Sequence, residues 1–353
     1  IACLFVAALG VAIDLDHLRQ AFAPLLTALF CLVASGAVVA LATWRATRNP
    51  ALIVIVTGAV LFVDLAVNNG PNESTALPPQ TYDVLRPDTA NATIALIKQK
   101  LADDAAPDRR DRVELAAIGY AWPNVGLVHR FDNDLGFNPV RLELYTAATG
   151  AGDQVAVPEE RIFSPLFPSY RSTMADLLGL RLIVTGVPAE QMDHRLAAGD
   201  IDLVARTPDA FVYENPRALP RVLFATQARR TDFAAMLKNG DWPAVDYRQT
   251  VLLQNVPEDS GPPRAPGSVR IGAYHNTDIT LDAQSPDGGY VVLNDVWQRW
   301  WRADVDGKPA TMLRANVIFR AVAVPAGHHV VHFSFDPLGG LLGDIMHGAG
   351  GNS

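Results

Sequence analysis

Cysteine is nearly absent from this sequence. Only Cys3 and Cys31 occur among 353 residues, and both lie inside apolar runs. Cysteines in such a setting are typical of small buried hydrophobic side chains. A disulfide framework and a cysteine-based metal site are therefore excluded.

Positive charge is also outnumbered by negative charge after the first 70 residues. Residues 71–353 hold 26 of the 29 lysines and arginines but 34 of the 37 acidic residues, so this part carries the whole net charge of −8. A nucleic-acid-binding protein needs a basic surface that neutralises phosphates. The acidic balance excludes nucleic acid as a partner.

Several catalytic motifs are missing as well. The sequence has no Gly-x-Ser-x-Gly, no His-Glu-x-x-His, no Gly-x-Gly-x-x-Gly and no P-loop. These motifs carry the activated serine, the catalytic zinc and the nucleotide phosphates of large enzyme classes. Their absence predicts that residues after about 70 form a non-catalytic part of the protein.

Long apolar runs are the first positive feature. Residues 23–43 are 21 residues without a charge, and about 20 helical residues cross the hydrocarbon core of a bilayer. With two further apolar runs, this predicts about three transmembrane helices, at 1–13, 22–44 and 51–68. The chain starts with Ile1 inside such a run, without a basic leader. This start predicts a fragment that is cut within a membrane helix.

The loops between these runs predict an orientation. The loop before the last run is basic, with Arg45 and Arg48, whereas the loop at 14–19 has mixed charge. Basic loops stay in the cytoplasm. Residues after about 70 are therefore predicted on the exterior or periplasmic side of a bacterial cytoplasmic (inner) membrane.

The rest of the chain predicts two exterior regions and a tail. Apolar periodicity predicts a helix at 90–103 and strands at 113–118 and 181–185, within an α/β region at 70–220. Residues 221–337 are predicted to be β-sandwich-like. The glycine-rich residues 338–353 predict a truncated or disordered tail.

Residues 290–337 give the clearest local pattern. Asp306-Gly307 lies between extended runs, a strong hairpin signal because glycine accepts positive φ. Along the last strand, alternate residues separate into an apolar face and a mixed face: Val331, Phe333 and Phe335 against His328, Val330 and His332. This alternation predicts a strand that packs on one side only.

Several short motifs occur in a fixed order over residues 51–337. They are Asp64-Leu65 with Asn68, then 124–127 with 136–139, then 177–185 and 213–221. A tryptophan cluster follows, and the series closes with Asp306, Gly307, Asn316, Pro325, Gly327 and His329. In this order the motifs resemble the YfhO-like family of bacterial membrane proteins. The chain departs from that family at Trp300-Trp301, where Gly-Trp is usual, and at its C-terminal end.

The resemblance implies a glycosyltransferase-C type membrane fold. It further implies sugar transfer from a polyprenyl-phosphate-sugar donor to an envelope polymer, which the exterior domain would position. Such a transfer uses a carboxylate as general base, often with a divalent metal ion. No cofactor is evident in this chain, and the resemblance implies that the catalytic carboxylate and any metal belong to a missing N-terminal part. The alternative is a non-catalytic membrane-anchored envelope protein with a carbohydrate-binding or assembly β domain.

Two groups of polar residues near the apolar runs are candidate sites. Asp14 and Asp16, beside His17, are weak candidates for catalytic carboxylates, and the pattern favours a short solvated turn between helices. Asp64 and Asn68 are candidates for a donor site or for the interior of a helix bundle, because a carboxylate at membrane depth usually faces protein or water.

Aromatic and histidine residues near the C-terminal end are further candidates. Trp297, Trp300 and Trp301 are predicted either to stack on sugar rings or to fill the core. His328 and His332 share a strand face without a carboxylate adjacent in sequence, which favours a strand edge over a ligand set.

Three Asp-x-Asp patterns occur, at 132–134, 200–202 and 304–306. The pattern is frequent by chance in an aspartate-rich region, and turns explain its members. No metal site is therefore predicted.

Overall fold

The computed structural model describes residues 6, 9–11, 18–44, 50–68, 78–137, 141–150, 155–254 and 264–347. Contacts divide the chain into two compact units, residues 1–81 and 82–353. Asp14, Asp16, Asn138 and Pro139 lie outside the described residues.

The first unit contains two helices, α1 (Leu18–Thr43) and α2 (Pro50–Asn68). The two helices contact each other. The thiol of Cys31 in α1 donates a hydrogen bond to Asp64 in α2, with an Sγ–Oδ1 distance of 3.1 Å. Asp64 therefore faces the neighbouring helix.

Among the residues that the structure describes, no helix is both long enough and apolar enough to cross a membrane. This finding contradicts the predicted transmembrane helices at 22–44 and 51–68, the membrane fold class and the inner-membrane location. Of the predicted helix at 1–13, only residues 6 and 9–11 are described.

The second unit combines short helices with many strands. Its helices are α3 (Ala92–Asp103), α4 (Val125–His129), α5 (Glu143–Thr149), α6 (Thr173–Leu177), α7 (Phe233–Asn239) and α8 (Pro337–His347). The first eight strands are β1 (Arg112–Ala116), β2 (Asp132–Asn133), β3 (Leu180–Thr185), β4 (Asp202–Arg206), β5 (Phe211–Glu214), β6 (Val222–Ala225), β7 (Gln227–Arg230) and β8 (Thr250–Leu253). The others are β9 (Ser268–His275), β10 (Asp278–Ser285), β11 (Gly289–Leu293), β12 (Trp301–Val305), β13 (Lys308–Ala310), β14 (Leu313–Ala315), β15 (Phe319–Val324) and β16 (Gly327–Phe335).

The first sheet has the strand order β2-β1-β3-β5-β4. β1 is parallel to β2 and β3, whereas β5 is antiparallel to β3 and β4. Helix α3 covers one face and begins at Asn91, whose side chain accepts hydrogen bonds from the amides of Thr93 and Ile94, a standard N-cap. The helix and the two strands predicted for this region are confirmed.

The other strands form two sheets of mainly antiparallel strands. The second sheet has the order β13-β12-β16-β10-β9, and the third has β6-β11-β15-β14-β8-β7. Within the third sheet β7 and β8 are parallel.

Three apolar cores separate these layers. One core lies between α3 and the first sheet and includes Ile94, Ile97 and Leu182. A second joins the first sheet, α6 and one face of the third sheet. The third lies between the second and third sheets and includes Val322 and Phe333. The prediction of a β-sandwich is met only loosely, because the third sheet is buried on both faces.

The predicted hairpin at Asp306-Gly307 is confirmed. Asp306 and Gly307 have φ values of 53° and 73°, as a two-residue hairpin turn with two positive φ angles requires. The turn joins β12 to β13, and Val305 pairs with Lys308. The turn at 325–327 instead carries the chain from the third sheet to the second, since β15 and β16 belong to different sheets.

The C-terminal segment contains a helix where a truncated or disordered tail is predicted. Helix α8 contacts the tryptophan cluster, and the Trp300 indole donates from Nε1 to Asp344 Oδ2 at 3.0 Å. Arg299 forms an ion pair with the same carboxylate at 2.7 Å. Residues 348–353 lie outside the described part.

Candidate functional site

The ends of three strands meet at one edge of the third sheet. β11 lies between β6 and β15, and Leu293 pairs with Val222 on one side and with Arg320 on the other. Arg221 directly precedes β6, and Asp295 follows β11 by two residues. The strand register therefore brings Arg221, Asp295 and Arg320 together although they are far apart in sequence.

Asp295 is saturated with hydrogen-bond donors. Its Oδ1 accepts from Arg112 Nη2 and from Arg221 Nη1, each at 2.8 Å. Its Oδ2 accepts from the Tyr274 hydroxyl and lies 3.3 Å from Arg320 Nη2. A carboxylate offers about four lone-pair sites, and all are used. Burial alone raises the pKa of Asp295, but the charges of Arg221, Arg112 and Arg320 outweigh it and lower the pKa. Asp295 is therefore a fixed anion that orients guanidinium groups.

Asp132 is the second carboxylate of the cluster. Arg110 donates to it from Nε at 2.7 Å and from Nη2 at 2.8 Å, a bidentate pair. Arg221 Nη2 donates to its Oδ2 at 2.9 Å. Burial raises the pKa of Asp132, but the hydrogen bond from Arg110 and the charge of Arg221 produce a net lowering. Arg221 thus links Asp132 and Asp295.

Aromatic rings cover two of these guanidinium groups. The Arg320 guanidinium lies 3.8 Å from the centroid of the Trp301 ring, and that of Arg110 lies 4.4 Å from the Tyr274 centroid. Both distances fit cation–π contacts, which require about 6 Å or less. Burial, and then the charge of Asp295, raise the pKa of Tyr274 to about 12. The Tyr274 hydroxyl therefore stays a proton donor at neutral pH.

A cleft of about 670 Å³ opens onto this cluster. Its volume lies within the range of about 300–1,000 Å³ that is usual for small-molecule sites. Guanidinium, carboxylate, amide and aromatic groups line it: Arg112, Arg221, Arg320, Asp132, Asp295, Asn124, Asn133, Asn276, Tyr274, Phe137 and Trp301. We call this site the arginine cleft.

The arginine cleft has more positive than negative charge. Three arginines and two aspartates line it, and Arg110, bound to Asp132, adds a fourth guanidinium. The side chains of Arg221 and Arg320 are only 2% and 3% exposed. Nonetheless, Nε of Arg221 and both Nε and Nη1 of Arg320 lack a hydrogen-bond partner in the part of the chain that the structure describes. Burial lowers the pKa of Arg320, consistent with a guanidinium whose charge is incompletely balanced.

A second cavity, of about 510 Å³, lies beside the hairpin of β12 and β13. Its lining combines tryptophan and arginine with apolar side chains: Trp297, Trp301, Arg299, Arg302, Pro309 and Met312. We call it the tryptophan groove. Trp301 lines both cavities.

A second buried ionic network lies on β1. Glu114 accepts from Arg161 Nε at 2.7 Å and from Nη2 at 3.1 Å, and the Tyr170 hydroxyl also donates to it. Both side chains of the ion pair are fully buried. Asp134 belongs to the same network, and burial followed by the charge of Glu114 raises its pKa well above the usual range. The residues that line the arginine cleft do not include Glu114, Arg161, Tyr170 or Asp134.

The structure separates the predicted aromatic residues. Trp301 stands between the two cavities, and Trp297 lines the tryptophan groove. Trp300 packs under α8, with its ring centroid 6.5 Å from that of Phe335. Asp64 contacts Cys31 within the first unit, while Asn68 ends α2 and its side chain is outside the described part.

The Asp-x-Asp residues have separate local roles. Asp132 binds arginines, whereas Asp200 accepts from the amide of Ala197 at 2.7 Å. Asp304 and Asp278 hold the two ring nitrogens of His332, at 3.0 and 2.7 Å.

The motif residues near the hairpin make local structural contacts. Asp306 accepts from the backbone amide of Val330 at 2.9 Å and lies 2.7 Å from Nδ1 of His329. Asn316 accepts from the amide of Leu252 at 2.8 Å and so pairs β8 through its side chain. Asp306 thus joins the hairpin turn to β16, and Asn316 joins the segment after β14 to β8.

Among the described residues no group of three or more histidine, cysteine or acidic side chains could hold a metal ion. In this part of the chain, no set of side chains therefore fits the divalent metal that the resemblance implies.

The arginines of the cleft are absent from the predicted site residues. One sequence signal could have indicated them: Arg320 interrupts the apolar strand β15, and Arg112 opens the buried strand β1. A charge inside a buried strand is costly unless it is paired, so it predicts a partner. The sequence does not tell which aspartate that partner is.

No family model matches this chain, and neither a curated protein nor a solved structure matches it. The resemblance to the YfhO-like family and the activity that it implies stay predictions.

Proposed function

We propose that this chain binds an acidic saccharide in the arginine cleft, through a carboxylate or phosphate group on the sugar. The observation that carries the proposal is the excess of positive charge at the cleft, where the guanidinium groups of Arg112, Arg221, Arg320 and Arg110 outnumber the carboxylates of Asp132 and Asp295. An anion in the cleft would balance this excess.

The chemistry of arginine favours this class of ligand. Guanidinium groups match carboxylate and phosphate oxygens in a planar, bidentate way. Asp295 and Asp132 fix the orientation of the guanidinium groups before a ligand arrives, which lowers the cost of ordering on binding. The locally positive cleft contrasts with the net charge of −8 of the chain.

The other lining groups favour a sugar over a simple ion. Asn276 offers an amide donor and acceptor that suit hydroxyl groups. Asn124 and Asn133 bind the backbone of Phe137, Pro123 and Leu135 and offer only the amide hydrogen and lone pair that remain. Phe137 and Trp301 add aromatic surface, which suits the apolar face of a sugar ring. A small inorganic anion would leave most of a 670 Å³ cleft unused.

Glycosyl transfer to an envelope polymer, which the resemblance implies, stays a prediction. Asp295 and Asp132 are poor candidates for its general base, because their arginine partners lower their pKa values and an effective base has a pKa near the working pH. Binding needs no such base. The cleft therefore supports the binding function more directly.

The test replaces Arg320 by methionine and measures binding of galacturonate and galactose by calorimetry. These two sugars share a ring but only the first has a carboxylate. The wild-type protein is expected to prefer galacturonate by ten- to a hundredfold, because a hydrogen bond to a charged group contributes about 1.5–3 kcal/mol. Arg320→Met is expected to lose most of this preference. Inorganic phosphate, added as a competitor, distinguishes phosphate from carboxylate recognition.

Arg270→Met is the matched control. Arg270 is on β9, outside the arginine cleft, and its side chain is 66% exposed next to Asp282. This variant should keep the preference for galacturonate. Equal affinity of the wild-type protein for both sugars, or an unchanged preference in a folded Arg320→Met protein, would rule out the proposed function.

A further inference from the structure

The arginine cleft and the tryptophan groove share one wall. Trp301 at the start of β12 lines both the arginine cleft and the tryptophan groove. Arg320 stacks over its ring at 3.8 Å, and Phe335 lies 5.5 Å from it between centroids. Trp301 is therefore held in place by its neighbours, and a ligand longer than one cavity would have to pass it.

The tryptophan groove differs from the arginine cleft in its chemistry. Arg299 and Arg302 are its cations, and Arg299 is already paired with Asp344 at 2.7 Å. Trp297, Pro309 and Met312 give it an apolar and aromatic floor. Such a surface suits the face of a ring together with a few hydroxyl groups better than an isolated anion.

The sheet edge explains why the groove stays open. β13 is the outer strand of the second sheet, and Pro309 within it lacks an N–H group, which is usual for edge strands. The proline discourages a further strand from pairing there. The edge is thereby left available to a ligand that is not a polypeptide strand.

We infer that the tryptophan groove is a second subsite, so that the ligand is an acidic polysaccharide whose successive sugars occupy both cavities across Trp301. This inference rests on the proposed function and extends it from a single sugar to a polymer. The arginine cleft takes a charged sugar, and the groove takes a following sugar through ring contacts. Each cavity alone has the volume of a small-molecule site.

The experiment compares galacturonate with its trimer and hexamer in the whole chain. The hexamer is expected to bind about two- to tenfold more tightly than the monomer, because it stacks on one further aromatic surface. Trp297→Ala is expected to remove this gain with length and to leave the affinity for the monomer unchanged. Arg302→Ala, at an exposed position of the groove, should reduce the gain without affecting the fold. Tyr120→Ala is the control, since Tyr120 is an exposed aromatic residue outside both cavities.

The outcomes distinguish the inference from the proposed function. If the monomer binds through Arg320 but both groove variants keep the full gain with length, the second subsite is refuted and the proposed function stands. If the hexamer binds no more tightly than the monomer, the second subsite is refuted as well. If neither monomer nor hexamer binds the wild-type protein, the proposed function fails and this inference fails with it. Thermal unfolding of each variant verifies that a loss of binding is not a loss of fold.

Discussion

At the scale of single residues, Asp134 is a buried carboxyl group whose surroundings disfavour its charged form. It lies beside Glu114, which Arg161 and Tyr170 already bind, and its own Oδ1 has no hydrogen-bond partner in the described part of the chain. Burial and the charge of Glu114 raise the pKa of Asp134. The native protein therefore keeps a proton that the unfolded chain releases above a pH of about 4.

Asparagine in place of Asp134 should remove a pH dependence of stability. Below the unfolded pKa both states hold the proton, but above it only the folded state does, so stability falls as pH rises, by at most about 1.4 kcal/mol per unit. Asp134→Asn has no proton to lose. Its free energy of unfolding should exceed that of the wild type increasingly as the pH rises above the unfolded pKa of about 4, measured by urea denaturation at a series of pH values.

Asp193→Asn is the contrasting variant. Asp193 is also buried, but its carboxylate accepts from Ser169 Oγ at 2.7 Å and from the amides of Tyr170 and Arg195 at 2.8 and 3.1 Å. An asparagine there loses acceptor capacity, so this variant should be less stable by about 1–3 kcal/mol. Parallel pH curves for Asp134→Asn and the wild type would disprove the account of Asp134.

At the scale of elements, α8 depends on a glycine for its contact with the tryptophan cluster. A Cβ atom at Gly340 would lie 2.3 Å from Cδ1 of Trp300. Gly340→Ala should therefore separate α8 from Trp300, at a cost of about 1–3 kcal/mol for overpacking. The expected result is faster proteolysis after residue 336 and a change in tryptophan fluorescence.

Gly343→Ala serves as the control in the same helix. A Cβ atom at Gly343 meets nothing within 4 Å, so alanine should stabilise α8 by up to about 1 kcal/mol through helix propensity. Slower proteolysis of Gly343→Ala beside faster proteolysis of Gly340→Ala is the expected pair of results. Equal behaviour of the two variants would contradict a packing role for Gly340.

Elements could be predicted from the sequence where their signals are local. Asp306-Gly307 specifies its own turn, and the apolar spacing of α3 specifies a helix with one buried face. The turn at 325–327 shows the limit, because the residues predict a reversal but not that β15 and β16 enter different sheets. Gly340 is similarly ambiguous in the sequence, since its role depends on Trp300, which is remote in sequence.

At the scale of the whole molecule, the candidate site could not be predicted because distant segments build it. Arg112 comes from the first sheet, Arg221 and Arg320 from the third, and Trp301 from the second. Each arginine alone is an ordinary charge in an acidic chain. The register of β6, β11 and β15 brings Arg221 and Arg320 to Asp295, and Arg112 reaches the same carboxylate from the first sheet.

The same layered arrangement predicts that the second unit folds without the first. Its three cores contain, among the described residues, no side chain before Val84, and a domain with its own apolar core can fold alone. Residues 78–353 expressed alone should unfold in one transition, with the same midpoint by circular dichroism and by tryptophan fluorescence. They should also keep the preference for galacturonate over galactose.

Residues 105–353 are the control, since they lack α3 and with it Ile94 and Ile97, two fully buried side chains of the first core. Removing two such side chains costs several kcal/mol, so this shorter chain should be unfolded or aggregated. If residues 78–353 are unfolded while the whole chain is folded, the independence of the second unit is disproved.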